Sequence, residues 1–267
     1  MKKYLPIVLS LIAIGIAGVA FAADLKTEIR KVLKENPEIL FEIIRENPTE
    51  FMDSVQDAVN QAKQQGAVNQ EKREQQALEA AFANPLKPVL RKDETIRGVA
   101  GAPLVLVEYS DFECPYCARG NQTVQQLLKK YDGKIAFVYK HLPLDFHPQA
   151  RLTAQYYEAI RLENAQLAFK FHDAIFTDVG KLKEGEPYLK RVAKQVGVNM
   201  QRLAGTLKDK AEFINNRINE DIKEAGRFNF QGTPGFLLNG IAVRGAYPLE
   251  YFEMIIDQLQ KRDMLKL

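Results

Sequence analysis

Cys114 and Cys117 are the two cysteines of the chain, and only Pro115 and Tyr116 separate them. A disulfide across so short a loop is a poor structural staple, because the entropic stabilisation from a cross-link grows with the loop it closes. Such a pair is better suited to making and breaking disulfides. The apolar run Leu104-Val105-Leu106-Val107 reads as a buried strand, and the stretch from Pro115 to Lys130 as a helix with Val124, Leu127 and Leu128 inward. Pro115 fits the first helical turn, where its missing N–H costs nothing. Cys114 then stands at the helix N-terminus. Unpaired backbone N–H groups and the positive end of the helix dipole favour a thiolate there. Thiolate is the attacking species in disulfide exchange. Cys114 is therefore the expected nucleophile, and Cys117, one turn on, resolves a mixed disulfide or closes the oxidised pair. The competing use of Cys-x-x-Cys is half a zinc site, which needs about four ligands. No second Cys pair exists, and the histidines are His141, His147 and His172 alone.

The elements that must hold this pair follow from the surrounding pattern. Ile135-Ala136-Phe137-Val138-Tyr139 is a second strand, so strand, helix and strand form a βαβ unit with a right-handed crossover and a parallel pair. Residues 148–226 read as helices, with breaks near Asn164, Gly185-Glu186-Pro187 and Gly197. Phe236-Leu237-Leu238, Asn239-Gly240 and Ile241-Ala242-Val243 then give strand, tight turn and strand. A helix from about Leu249 to Lys261 closes the chain. The fold class is α/β, a sheet interrupted by a helical insertion at about 148–226.

The N-terminal third differs in character. Met1-Lys2-Lys3, the apolar stretch Leu5 to Ala20 and the small-x-small Ala20-Phe21-Ala22 predict a signal peptide over 1–22, cleaved after Ala22. Residues 23–84 are polar and helical in pattern. Lys34-Glu35-Asn36-Pro37 and Arg45-Glu46-Asn47-Pro48 form a small repeat in which Asn can N-cap and Pro can open a helix. Phe51, Met52, Val55, Ala58, Val59 and Ala62 make an apolar stripe that must be covered. Self-association through residues 24–84 is the favoured reading, and packing on the main domain the other. Residues 85–97 read as a linker to a domain over 98–267. The net charge of +3 gives no basic face for nucleic acid. Export would place the cysteines in an oxidising compartment, the periplasm.

The stretch Glu108-Tyr109-Ser110-Asp111-Phe112-Glu113-Cys114-Pro115-Tyr116-Cys117 resembles the active site of DsbA-like proteins. So do Leu142-Pro143-Leu144, His147-Pro148, Phe171-His172-Asp173-Ala174-Ile175-Phe176 and Gly232-Thr233-Pro234-Gly235-Phe236, in the same order from Gly101 onward. The polar arm resembles the extra helices of oligomeric members of the suppressor-of-copper-sensitivity type. The resemblance implies a thioredoxin fold with a helical insertion behind an all-helical oligomerisation arm. It implies a cis Pro234 facing the cysteines, with Thr233, Pro115 and Tyr116 meeting the substrate. It gives Glu108 the task of handling the proton of Cys117, and a buried carboxylate with a raised pKa suits that task. Lys140 can pair with Glu108, although lysines are mostly exposed. The three histidines are expected to pack or cap. No cofactor is implied beyond the Cys114–Cys117 disulfide. The implied partners are exported cysteine-containing proteins, a membrane redox partner and further copies of the chain. Isomerase or reductase is the leading activity and monomeric dithiol oxidase the alternative. A reductase for sulfenic acids or metal-handling proteins, and a non-catalytic scaffold, also stay open.

Overall fold

The computed structural model describes residues 27–267, so the expected signal segment and the start of the arm lie outside it. The chain divides into two compact units, one ending at Glu74 and one running from Gln75 to Leu267. In the first, residues 27–35 are helical, α1 spans Pro37–Glu46, and α2 opens at Pro48 and runs unbroken to Ala83, into the second unit. The two prolines stand in first turns, as their missing N–H groups allow. Asn36 and Asn47 depart from expectation, because their amides turn backward. Asn36 Nδ2 donates to Val32 O at 3.0 Å and Asn47 Nδ2 to Ile43 O at 3.3 Å. Each adds a second bond to a carbonyl of the preceding turn that already accepts the same residue's backbone N–H, at 2.9 Å for Asn36 and 3.1 Å for Asn47. Through Glu74 no described residue is buried, and Phe51, Met52, Val55 and Val59 stay exposed.

The second unit is built on a five-stranded sheet of order β1-β3-β2-β4-β5. Its strands are β1 (Ile96–Gly98), β2 (Leu104–Ser110), β3 (Ile135–His141), β4 (Gly235–Leu238) and β5 (Ile241–Arg244). β2 and β3 are parallel and joined by α3 (Pro115–Lys130), as the βαβ pattern predicts; the other pairings are antiparallel. The insertion comprises α4 (Ala150–Glu163), α5 (Ala165–Thr177), a 3-10 segment (Val179–Glu184), α6 (Glu186–Gln195), α7 (Met200–Asp209) and α8 (Ala211–Arg227), and α9 (Leu249–Lys261) ends the fold. Side chains alternate across the strands. Leu104, Leu106, Phe137, Tyr139, Phe236 and Leu238 join the larger core with Val124, Leu127, Phe171 and Phe252. Val107, Tyr109, Val138 and Leu237 join the smaller one with Ala225 and Phe230.

Residues 85–97, read as a linker, are bound to this unit instead. Ile96–Gly98 is β1, paired with β3. Leu86 N donates to Gly240 O at 2.9 Å, and Arg91 reaches Asp221 at 2.6 Å. The prolines lie in the docked stretch ahead of β1, and the charges that resembled a linker are ion-pair partners of α8: Arg91 meets Asp221, and Asp93 and Glu94 meet Arg217. Gly240 serves both the Asn239-Gly240 turn (φ of 46° and 87°) and this docking, since a Cβ there would lie 2.4 Å from Leu86 O.

Candidate active site

Cys114 is the N-cap of α3 and Pro115 its first residue, so the dithiol sits where β2 hands over to the helix. Both cysteines are free thiols; Cys114 is 5% exposed and Cys117 fully buried. Cys114 is lowered to about 5. The hydrogen bond from the Cys117 thiol contributes most, burial opposes it, and Thr233 and the backbone N–H groups of Cys117 and Tyr116 add to the lowering. Cys117 is pushed the other way, first by burial and then by donating to Cys114. Two thiols one turn apart are thus split into an ionised attacking group and a protonated reserve. Tyr116 projects outward, 56% exposed, with Arg119 stacked at 5.3 Å from its ring centre.

Glu108 lies fully buried on β2, on the face that Tyr139 shares in register. Its Oε1 accepts from Ser110 Oγ at 2.7 Å, and its Oε2 has no hydrogen-bond partner among the described residues. Burial raises its pKa to about 8, against the Ser110 bond, and Cys114 adds to the rise. The charge of Glu108 in turn raises Cys117. Lys140 does not pair with Glu108. It pairs in register with Tyr109, one residue on, and alternation along the strand sends it through the opposite face. There it is fully buried rather than exposed, donating to Glu224 and, at 2.7 Å, to Val89 O.

The Thr233–Pro234 peptide is cis, and Thr233 O lies 3.5 Å from Cys114 Sγ. Gly120 lets α3 approach this turn; a Cβ there would stand 3.2 Å from Pro234 and 3.1 Å from Phe236. Cys114, Cys117, Glu108, Thr233 and Pro234 are thereby brought together, with Pro115 and Tyr116 on the helix that carries the thiols. Asp111 was missed by the sequence reading. Its backbone N–H faces Cys117 Sγ at 3.4 Å, and its carboxylate accepts from Glu113 N, Leu144 N and His147 Nδ1 at 2.7–2.8 Å. The signal available was an Asp directly after a strand, whose side chain bonds its own backbone two residues on. His147 thus anchors the loop, and His141 pairs with Glu158 at 3.1 Å. His172 is buried among Tyr139, Phe112 and Phe176 and held below its ordinary pKa by burial.

The family model described as Thioredoxin matches residues 91–258. The chain belongs to the thioredoxin family. Solved structures agree on the fold. The thiol-disulfide exchange protein alpha-DsbA2 of Wolbachia pipientis aligns at a TM-score of 0.59 and 18% identity, over 72% of this chain and 98% of that one. A linker-deletion mutant of Proteus mirabilis ScsC aligns at 0.52 and 19% identity over 91% and 96%. Among curated proteins, the sodium/proton antiporter NhaA 1 of Salinispora arenicola is 34% identical over 164 residues, 61% of this chain and 24% of the antiporter. The chain spans about a quarter of the length of the curated relatives it matches.

Proposed function

We propose that the protein is a periplasmic thiol–disulfide oxidoreductase that isomerises or reduces incorrect disulfides in exported proteins. The observation that carries this reading is the opposed tuning of the two thiols, Cys114 down to about 5 and Cys117 up, beside the cis turn. A client segment lies along Thr233 as an added strand, its backbone supplying affinity that is largely blind to sequence. The Cys114 thiolate attacks one client sulfur. A Cys114–client bond forms, the client S–S bond breaks, and the other client sulfur leaves as a thiolate. In isomerisation a different client thiolate then attacks the mixed disulfide and expels Cys114, with no net electron transfer. In reduction Cys117 gives its proton to ionised Glu108 and attacks Cys114 Sγ. The second client sulfur leaves as a thiolate, and two electrons have passed from the dithiol to the client. A membrane dithiol partner would return them. Self-association through residues 24–84 would set several sites around one client and raise its effective concentration.

Alkylation against pH tests the core of this. Cys114 should titrate with a midpoint near the value of about 5 and be modified rapidly at neutral pH, while Cys117 resists. Equal, slow modification of both would overturn it. Every proposed site residue falls within Gln75–Leu267, which favours a second reading: a monomeric dithiol oxidase for which the arm is an appendage. Repair of a scrambled-disulfide protein by the full chain and by a version starting at Gln75 separates the two. The cut belongs there because starting near Gly98 would remove β1 and the Arg91 anchor. Loss of repair with oxidation retained supports the isomerase; equal behaviour as good oxidants and poor isomerases supports the oxidase.

A further inference from the structure

Beside Thr233 and Pro234 lies a groove of about 340 Å³ whose other walls are Asn229, Phe230, Gln231, Gly232, Arg244 and Gly245. Arg244 carries the one formal charge among these residues. We propose that this groove is a subsite for an acidic side chain of the client, read by Arg244; the inference rests on the oxidoreductase reading and names the clients it prefers.

The placement of Arg244 is built from the sequence upward. Arg244 ends β5, the edge strand, and pairs in register with Gly235, the residue after the cis proline. Gly235 is required because the Phe230 ring lies where its side chain would be; a Cβ would stand 2.5–2.9 Å from three ring carbons. Phe230 is nearly buried and floors the groove, and the Arg244 guanidinium rests over its ring at 5.5 Å. One guanidinium nitrogen donates to Phe228 O at 3.2 Å. A guanidinium has five N–H donors, so most remain free for a ligand. No carboxylate lies within ion-pair distance of Arg244 among the described residues, whereas Arg91, Arg97, Arg161, Arg191, Arg217 and Arg262 are all paired. A planar cation fixed by a ring and a carbonyl, and left without an anion, matches a carboxylate geometrically. The remainder of the wall carries no carboxylate to pair with a lysine. A client strand crossing Thr233 to put its sulfur at Cys114 must pass this groove.

The probes are synthetic disulfide peptides with Glu, Gln or Lys placed in turn at the positions flanking the reacting cysteine. Their exchange rates are measured on the full mature chain. Binding of the matching Cys→Ser peptides is measured separately, so that recognition is read without chemistry. At one flanking position the wild type should favour Glu over Gln by about threefold, as expected of one exposed charge pair. The preference should fade in high salt, where the screening length falls to about 3 Å. Arg244→Lys should keep it, Arg244→Met should abolish it and Arg244→Glu should invert it toward Lys. A Glu-to-Gln ratio that Arg244→Met leaves unchanged would overturn the subsite while exchange itself stands. Binding preference without turnover of any peptide would keep the subsite and overturn the oxidoreductase reading.

Discussion

Two glutamates on opposite faces of the central sheet share nearly complete burial and little else. Glu224 on α8 uses both oxygens: Oε1 accepts from Val89 N at 2.7 Å, and Oε2 from Tyr109 Oη at 2.7 Å and from Lys140. Burial pushes its pKa up, but Lys140, Val89 and Tyr109 together hold it below the ordinary value. The Glu108 carboxylate has one hydrogen-bond partner among the described residues, Ser110, and burial carries it to about 8. Burial alone therefore does not decide the charge of a carboxylate; a buried cation beside it does. On one face the acid is a fixed anion that ties Val89, β2, β3 and α8 together. On the other it can gain and lose a proton near neutral pH, next to the thiol whose proton must move.

The comparison breaks most sharply at Lys140. Lys140→Met leaves Glu224 and Asp221 buried without their shared cation, and should cost about 3–5 kcal/mol in chemical denaturation. A loss below about 1 kcal/mol would mean the anion is not held charged. Alkylation of Cys114 in whatever fraction stays folded should keep its midpoint, since Lys140 projects through the other face. Glu108→Gln should instead act on chemistry. The resolving step, read as decay of a mixed disulfide, should slow by about 10²-fold as a proton acceptor is lost. Its effect on stability depends on pH, with a definite sign. Glu108 has an ordinary value of 4.5 and a folded value of about 8, so between them the folded state holds a proton that the unfolded state has released. Stability from this group is present below 4.5 and falls as pH rises toward 8. Glu108→Gln removes that slope, and an unchanged slope would show that the carboxylate is ionised throughout. Tyr109→Phe is milder: one hydrogen bond to a charged group is lost, about 1.5 kcal/mol, with exchange rates intact.

Local chemistry made the dithiol legible in the sequence. A proline inside the first turn, a cysteine before it and a buried strand ahead of both locate the thiols without tertiary knowledge, and Pro115–Lys130 and Leu249–Lys261 fall where the pattern placed them. The Asn239-Gly240 hairpin was equally plain. Partnership across the chain was not. Lys140 looks like an ordinary strand-end lysine until α8, some eighty residues later, supplies its anions. β1 is three residues long and lacks apolar alternation, so only its pairing with β3 reveals it. Arg244 reads as the polar end of a hairpin, and its solitary charge is visible only once Phe230 is seen beneath it. Asp111 lay inside the motif, but its amide contact to Cys117 needs the helix and strand already assembled.

The smallest change isolates the proton-carrying face. Ser110→Ala removes the one hydrogen bond to the Glu108 carboxylate among the described residues and should cost about 1 kcal/mol. That bond lowers the Glu108 pKa, so its loss should raise the group above about 8. The pH profile of the resolving step should then move upward, because Glu108 must be ionised to accept the Cys117 proton. Cys114 alkylation should keep its midpoint, since Ser110 makes no bond to that sulfur among the described residues. The cycle with Glu108→Gln decides whether the hydroxyl works through the carboxylate. In the Glu108→Gln background, Ser110→Ala should leave the pH profile where it is. A shift of equal size in both backgrounds would place the effect of Ser110 elsewhere, and the titrating group behind the profile would no longer be Glu108.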